Sequence, residues 1–467
     1  MHRRLLPVLL IAQLMVILDI TAVNIALPHI AADLRIAGPS ISWTITSYSL
    51  IFGSLLMLGG RAADILGRRR MFLTGLGVFT VSSLASAVAA NAATLFAARA
   101  GQGVGAAILS PAALSIITAS FQGPARAKAL SAWGAVGGAG AAVGVLAGGV
   151  LTQVADWRAI FYVNLPVAVV LLVASLKVIP ADTVAPRWRG LDLGGAAIAT
   201  TSLASIVYAI TQAESAGWTS ARTTLFGIGG LVGLAAFALF ERRSAAPLLR
   251  VERVVDRAVG GGLVLMLAAA GSIFGLFLLS SLYLQNVLGY GPLATGLAFV
   301  PLAVAAGIGA HAAGHVIAHH GVRGPLAGSF AFAAVGMLLL SHVGETGSYA
   351  SDVLPGMLVA GLGLGVTIVT VSTAILTGAR AEESGMLSGL NSTGHEIGGT
   401  LGIAIFSTIA AGSGALVGPH AATGIADAFL AAAGLATLAS LTALAVLPRA
   451  RHFLPKLQMS PSALPVH

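Results

Sequence analysis

Hydrophobic runs of about 20 residues recur along this sequence, and they restrict its fold more than any other feature. A helix of about 20 apolar residues crosses the hydrocarbon core of a bilayer, and short polar gaps separate about fourteen such runs here. The predicted runs are 5–28, 41–60, 71–90, 93–119, 129–152, 159–179, 193–211, 223–240, 259–287, 294–315, 325–343, 352–376, 388–411 and 425–447. Of the 467 residues, 57% are hydrophobic and only 9% are charged, whereas about 25% of a soluble protein is charged. We therefore expect an all-α polytopic membrane protein.

The distribution of basic residues predicts the orientation of the chain. If the N-terminus is cytoplasmic, most of the 25 Lys and Arg residues fall in inner loops or at inner helix ends, as the positive-inside rule requires. Both termini are then cytoplasmic. Topology thus explains the net charge of +9, and we expect no nucleic-acid partner. The abundance of Arg, Ala and Gly favours a bacterial source, and hence the inner (plasma) membrane. With no cysteine, disulfides and thiolate metal sites are excluded.

An acidic residue lies deep in the first run. An ionised Asp19 at that depth costs about 3 kcal/mol even on the insertion scale, so an intramembrane acid indicates function. A carboxyl that is neutral in apolar surroundings and ionised beside a cation can carry a proton. Arg99, in the fourth run, lies at a similar depth by residue count, and we expect the two charges to pair. The alternative is that Asp19 only holds helices together through hydrogen bonds.

The residues that follow Asp19 resemble a known family signature. Leu18 to Pro28 reads LDITAVNIALP, which resembles the first helix of the drug:proton antiporters of the major facilitator superfamily, in the fourteen-span branch typified by EmrB and QacA. The stretch 60–70, GRAADILGRRR, resembles the superfamily motif G-x-x-x-D-x-x-G-R-x-x. The resemblance implies a cytoplasmic conformational switch formed by Gly60, Asp64, Gly67, Arg68 and Arg69. The alternative is a positive-inside loop with a stray acid.

Three further strings resemble the same family. Arg99 and Gln102 fit its fourth-span pattern R-x-x-Q-G, and residues 156–166 resemble W-R-x-x-F-x-x-N-x-P. The fifth run resembles the antiporter motif G-x-x-x-G-P-x-x-G-G, although Val145 stands at the proline position. The glycines that carry this motif are Gly140, Gly144, Gly148 and Gly149. Close packing of helices alone would also explain them.

A second intramembrane acid, Glu396, lies about 12 Å inside the thirteenth run. With Asp19 and Arg99 it is our candidate for proton coupling, although bonding between helices is an alternative. Candidates for lining a substrate cavity are Asn24, Gln102, Asn391 and His395. The histidines His311, His315 and His319 share one helix face. A polar helix end explains them better than a metal site does, so we predict no metal.

The resemblance implies a major facilitator fold. It divides the chain into an N-terminal six-helix bundle at 1–180, an inserted helix pair with cytoplasmic linkers at 181–258, a C-terminal six-helix bundle at 259–447 and a cytoplasmic tail at 448–467. An echo of the Gly60 motif at 314–323 supports two related halves.

We expect a proton-coupled secondary active exporter of drugs or other small amphipathic compounds, working by alternating access. Lys128, Lys177 and Lys456 are the lysines of the chain, and none closes a Gly-x-x-x-x-Gly-Lys phosphate loop, so ATP-driven pumping is excluded. The expected partners are the substrate, protons and lipid, with no cofactor, no enzymatic activity and a monomeric state. The alternatives are a narrow exporter of a single antibiotic or metabolite, and a transport-dead sensor or scaffold.

Overall fold

A computed structural model describes residues 2–36, 43–182, 192–244, 251–377, 383–412 and 421–450. Over these ranges the secondary structure is helical and contains no strand. The helices are α1 His2–Asp33, α2 Trp43–Leu66, α3 Arg68–Ala87, α4 Ala92–Ser120, α5 Gly123–Val154, α6 Ala159–Tyr162, α7 Asn164–Val178, α8 Leu193–Ala216, α9 Ala221–Glu241, α10 Val251–Val255, α11 Arg257–Leu282, α12 Pro292–Ala298, α13 Val300–His320, α14 Arg323–Leu340, α15 Leu354–Leu376, α16 Ser384–Gly412 and α17 Ala421–Val446. Two π-helical turns, Tyr283–Val287 and Tyr349–Val353, adjoin α11 and α15.

Among the described residues, 11 helices are long and apolar enough to cross a membrane. Large apolar side chains remain exposed along them, and on α9 Leu225, Ile228 and Leu231 are exposed by 70%, 62% and 63%. Contiguous exposed apolar surface of this kind is suited to lipid contact. The structure therefore confirms the expectation of an all-α polytopic membrane protein.

Polar side chains fix the starts of several helices. Asn91 and Thr94 form a reciprocal capping box at the start of α4, and Asp192 accepts a hydrogen bond from the Gly195 N–H at the start of α8. Ser220 caps α9 in the same way. Each cap satisfies a backbone donor that the helix leaves free. The short polar loops thus determine where the long apolar helices begin.

The helices pack in two groups that meet along two lines. In one group α2 and α3 pack on α4, and α1 packs on α5; in the other α13 and α14 pack on α15, and α11 packs on α16. The groups meet where α5 contacts α13 and where α2 contacts α16. We call the latter contact the α2–α16 seam. Helix α8 pairs with α9 and touches both α2 and α16, so it lies beside this seam.

The domain boundaries proposed from the sequence remain predictions. Parts of them fall on residues 183–191, 245–250 and 451–467, which lie outside the described ranges.

Candidate functional site

Asp19 on α1 and Arg99 on α4 form a buried ion pair between Oδ2 and Nη1. The two residues are only 2% and 1% exposed. Arg99 also donates from Nε to the Thr44 carbonyl oxygen, at 3.1 Å. A buried charge is tolerated when it is paired and hydrogen-bonded, as both members are here. The structure thus brings together the two charges that were predicted to share a depth.

Two amide side chains complete the surroundings of Asp19. Gln102 donates from Nε2 to Asp19 Oδ1 at 2.9 Å, and Asn164 on α7 donates to the same oxygen at 3.0 Å. Gln102 also donates to Ser83 Oγ on α3, at 2.8 Å. The sequence placed Gln102 on a cavity wall, but the structure buries it completely. It belongs to the polar network around Asp19, because the carboxylate needs donors that water cannot supply at this depth.

Aromatic rings flank the Arg99 guanidinium. Its Cζ atom lies 4.5 Å from the centroid of the Tyr48 ring and 5.8 Å from that of Phe161. Rings at such distances attract a cation through their π faces. Tyr48 lies on α2 and is fully buried. Sequence reasoning missed the Tyr48 ring, because a single aromatic residue in an apolar run carries no pattern. Phe161 belongs to the motif at 156–166, but that motif did not indicate a contact with Arg99.

The glycine stripe of α5 packs on the part of α1 that carries Asp19. A Cβ atom added at three of these glycines would meet residues of α1: Ile17 and Leu14 at Gly140, Thr21 and Leu18 at Gly144, and Ala22 at Gly148. A Cβ added at Gly149 would meet nothing within 4 Å, so that glycine is not part of the contact. The stripe therefore fixes the position of Asp19. The side chain of Val145 lies outside the described residues.

Asp64, near the end of α2, caps the start of α16. Its carboxylate oxygens accept the backbone N–H groups of Gly385 and Met386, both at 2.9 Å. Free N–H groups and the helix dipole both favour a carboxylate at this position. The Arg68 Nη2 atom lies 3.5 Å from Asp64 Oδ1. We call this end of the molecule, where α2 ends and α16 begins, the Asp64 end.

The two groups of helices touch closely at the Asp64 end. A Cβ atom at Gly60 would lie 2.1 Å from the Gly385 carbonyl oxygen, and one at Gly389 would lie 2.6 Å from that of Leu56. Arg126, at the start of α5, donates from Nη2 to the Leu376 carbonyl oxygen at the end of α15, at 2.6 Å. The structure is therefore closed at this end. Sequence reasoning missed Arg126, since its acceptor is a distant main-chain oxygen.

Gly67 and Arg69 are held by an acid outside the motif. Asp182 accepts the backbone N–H groups of Arg69 and Arg70 at the start of α3, at 3.1 and 3.0 Å. Gly67 has φ +106°, and a Cβ atom there would collide with the Asp182 carboxyl group. The position therefore requires glycine both for its conformation and for space. Arg69 also donates from Nη2 to the Leu176 carbonyl oxygen, at 2.9 Å.

Glu396 lies beside the α2–α16 seam. A Cβ atom at Gly53 on α2 would be 3.8 Å from Glu396 Cβ and 3.7 Å from a methyl group of Val207 on α8. His395 Nδ1 lies 3.4 Å from Glu396 Oε1, and its ring centroid lies 5.5 Å from that of Phe274 on α11. The Glu396 side chain is 20% exposed. The second acid thus occupies the junction of α2, α8 and α16.

The remaining cavity and metal candidates are only partly described. Asn24 lies in α1, but its side chain is outside the described residues. Asn391 is 5% exposed, and its Oδ1 has no hydrogen-bond partner among the residues described. His315 and His319 have ring centroids 4.6 Å apart. Within the described ranges no group of three or more His, Cys, Asp or Glu residues could hold a metal ion.

Arg158 anchors α1 at the opposite end of the molecule. Its Nη1 atom lies 2.8 Å from Asp33 Oδ2, and its guanidinium stacks over the Trp157 ring, 4.3 Å from the centroid. Hydrogen bonds from Arg158 and from the Trp157 indole lower the pKa of Asp33 from its ordinary value. The W-R string thus fixes the end of α1 rather than supplying chemistry.

An ion pair buried between long apolar helices, in a bundle that is closed at one end, is a feature expected of a membrane transport protein. The sequence model of the family described as "Major Facilitator Superfamily" matches residues 9–403. The puromycin resistance protein pur8 of Streptomyces alboniger is 41% identical over 412 residues, which are 87% of this chain and 82% of that protein. The chain belongs to the major facilitator superfamily, and the prediction of that superfamily is confirmed.

Two further relatives are similar in sequence, and two solved structures have the same fold. The cephamycin export protein CmcT of Amycolatopsis lactamdurans is 36% identical over 90% of this chain and 87% of its own length. The multidrug resistance protein Stp of Mycobacterium tuberculosis is 32% identical over 88% and 77%. The proton:xylose symporter XylE shares the fold with TM-score 0.68 and 14% identity, over 97% of this chain and 98% of that one. The human organic anion transporter MFSD10 does so with TM-score 0.64 and 17% identity, over 94% and 99%.

Proposed function

We propose that this protein exports drugs or antibiotics in exchange for protons, by alternating access. The names of the relatives pur8, CmcT and Stp support the class of substrate. The observation that carries proton coupling is the buried Asp19–Arg99 pair. A carboxyl that is withdrawn from water beside one cation attracts that cation when it is ionised and loses this attraction when it takes up a proton.

We further propose fourteen spans, in the arrangement of the EmrB/QacA-like branch. Helices α5, α8 and α16 have 32, 24 and 29 residues, and about 20 suffice to cross a bilayer. Added to the 11 apolar helices, they give two six-helix bundles, 1–180 and 259–447, with α8 and α9 inserted between them. The Asp64 end is then cytoplasmic, as are both termini, in a bacterial plasma membrane.

The polar network suggests how one proton drives a cycle. When Asp19 is ionised, it accepts from Arg99, Gln102 and Asn164. Protonation removes the counter-charge of Arg99 and weakens every one of these bonds. Because α4 packs on α2, the release of Arg99 reaches the helix that carries Asp64. One proton that crosses 100 mV supplies about 2.3 kcal/mol, enough for a roughly fifty-fold gradient of substrate.

Transport in inverted membrane vesicles tests this function. With the lumen made acidic, we expect drug to accumulate inside, and a protonophore to abolish the accumulation. Accumulation that persists when the proton gradient has collapsed would exclude proton coupling. The names of pur8 and CmcT each contain a single antibiotic, and they favour a narrow exporter as the second candidate. The drug sensitivity of a deletion strain distinguishes a narrow exporter from a broad one. Sensitivity to one compound indicates a narrow exporter, and sensitivity to many indicates a broad one.

Asp64→Asn should slow turnover several-fold and leave substrate affinity unchanged. In the wild type both Asp64 oxygens accept backbone N–H groups. The amide keeps one acceptor oxygen, but its NH₂ group would face the other N–H, so one hydrogen bond is lost. The charge that stabilises the closed Asp64 end is also lost. Turnover and equilibrium binding are measured on the purified protein in proteoliposomes. Asp33→Asn, an exposed acid at the opposite end, is the control. A large loss of binding with normal turnover would contradict a switch role.

Glu396→Gln should weaken export of cationic compounds, divalent ones most, and spare neutral ones. A neutral drug exchanged for one proton uses the whole membrane potential, whereas a dication needs two protons to avoid moving against it. A second titrating carboxyl would carry the additional proton. Resistance and transport are compared for neutral, monovalent and divalent drugs at equal protein levels. Glu252→Gln, an exposed acid on α10, is the control, and equal losses for all drugs would overturn the assignment.

A further inference from the structure

We propose that Tyr48 couples Asp19 to Glu396. Its ring holds Arg99 against Asp19, and its hydroxyl hydrogen-bonds the Glu396 carboxyl when α2 and α16 part at the Asp64 end. This inference rests on the proposed function, because it assigns the two carboxyls to one transport cycle. It makes Tyr48 a positioning residue, one that acts through the two acids.

The first observation is the place of the Tyr48 ring. It stacks on the Arg99 guanidinium at 4.5 Å, and the charges of Asp19, Arg99 and Glu396 contribute to the electrostatic potential at its hydroxyl. These belong to α1, α4 and α16, so one side chain on α2 senses charges of three other helices. Tyr48 therefore contacts the ion pair of one bundle and is influenced by the acid of the other.

The second observation is that the Tyr48 hydroxyl is unsatisfied. The residue is fully buried, and the hydroxyl has no hydrogen-bond partner among the described residues. Leaving a buried hydroxyl unpaired is unfavourable, and most such groups in proteins are paired. A transporter alternates between conformations, so a group unpaired in one is a candidate for a bond in the other.

The third observation is the geometry of the α2–α16 seam. The two helices run antiparallel, with Gly60 beside Gly385 and Gly53 beside Glu396. Tyr48 precedes Gly53 by five residues, about 7.5 Å along α2. Glu396 therefore lies about one and a half helical turns from the level of Tyr48, on the side toward the Asp64 end. The two side chains thus lie on neighbouring helices and at nearby levels of the seam, and a relative movement of α2 and α16 changes their separation.

Rocking supplies that movement in the required direction. The seam is closed at the Asp64 end, where backbones touch without side chains between them. When two rigid bundles rock about a central site, opening at one end brings the opposite halves closer. Tyr48 and Glu396 lie farther from the Asp64 end than the Gly60–Gly385 and Gly389–Leu56 contacts, in the part of the seam that we expect to close. Their hydrogen bond would stabilise the conformation that is open at the Asp64 end.

Tyr48→Phe tests the proposal, because it removes the hydroxyl and keeps the ring on Arg99. Tyr208→Phe is the matched control, since that ring packs against Phe226 on α9 with centroids 4.7 Å apart. The chain has no cysteine, so spin labels at Lys177→Cys and His320→Cys report opening of the Asp64 end without background. The readouts are the open fraction, the pH profile of exchange and thermal unfolding in detergent.

We expect Tyr48→Phe to reduce the ratio of open to closed protein about tenfold, the range expected for a hydrogen bond to a charged group. Glu396→Gln should shift this ratio in the same direction, and the double variant should equal the larger single effect. The pH profile should shift in Tyr48→Phe and not in Tyr208→Phe, with thermal stability retained in both.

Additive effects of Tyr48→Phe and Glu396→Gln, or a Tyr48→Phe open fraction equal to that of wild type, would overturn the inference. Failure of this inference can be distinguished from failure of the proposed function by measuring export in Asp19→Asn. If Asp19→Asn still exports drug at the wild-type rate, proton coupling through Asp19 is wrong. If Asp19→Asn is inactive and the Tyr48 effects are additive, only the coupling role of Tyr48 is wrong.

Discussion

Asp19→Asn should reduce proton-driven export to background while the protein still folds and inserts. Asparagine has the shape of aspartate, and its oxygen can still accept from Gln102 and Asn164. It can neither take up a proton nor neutralise Arg99. The guanidinium keeps the Thr44 carbonyl oxygen, the Gln102 Oε1 atom and two aromatic rings. These contacts maintain the fold, but the variant has no carboxyl at position 19 whose protonation could change them.

A charge-pair design separates coupling from stability. Removing one member of a buried ion pair costs about 3–5 kcal/mol, whereas replacing both members is often neutral. We expect the single variant Asp19→Asn to unfold at a lower temperature, and the double variant Asp19→Asn/Arg99→Gln to recover stability without recovering export. Export is measured in inverted vesicles under an imposed proton gradient. Export by the double variant at the wild-type rate would show that the pair is structural only.

The Asp19–Arg99 pair could be predicted from the sequence, because the depth of a residue in a membrane-spanning helix follows from its distance along the chain to the helix end. Residue counts from the ends of two apolar runs place both charges at one level, and a buried charge requires a partner. The partners that lie elsewhere on the chain were not predictable. Tyr48 lies in no motif, and Asn164 was identified only as a position of the motif at 156–166. Both approach Asp19 and Arg99 through the packing of α2 and α7, which hydropathy alone does not predict. The acceptors used by Arg126 and Arg69 are main-chain oxygens, and every residue has one.

Helix ends were predicted well where polar caps mark them, and less well elsewhere. The run 93–119 nearly matches α4, because Asn91 and Thr94 cap it. The run 294–315 divides instead into α12 and α13, and α13 continues to His320. Hydropathy falls at His311 and His315, but the backbone hydrogen bonds of a helix do not depend on apolar side chains. The helix ends only where Gly321 takes φ +70°, which glycine adopts without strain.

The switch motif was identified by resemblance, but its mechanism required the structure. From sequence, Asp64 was expected to form a cytoplasmic switch together with Arg68 and Arg69. In the structure its principal partners are two backbone N–H groups of α16, 321 and 322 residues away, and Arg68 lies farther off at 3.5 Å. The carboxylate thus closes the α2–α16 seam by capping a helix of the other group, close to the Gly60–Gly385 contact.

That contact leads to the second large effect: Gly60→Ala should hold the protein open at the Asp64 end and abolish export. A Cβ atom at Gly60 would lie 2.1 Å from the Gly385 carbonyl oxygen and 3.0 Å from the Gly389 nitrogen. Both neighbours are backbone atoms, so no side-chain rotation relieves the collision. The helices must separate, and Asp64, one turn beyond Gly60, then loses its hydrogen bonds to Gly385 and Met386.

Gly77→Ala on α3 is the matched control, because a Cβ atom there would meet nothing within 4 Å. Alanine in place of an exposed helical glycine stabilises by about 1 kcal/mol, so this variant should export normally and unfold no earlier than wild type. For Gly60→Ala we expect a longer distance between spin labels at positions 177 and 320, with drug binding retained from the open side. A wild-type distance together with wild-type export would show that the seam tolerates a methyl group, and that closure at Gly60 is not part of the transport cycle.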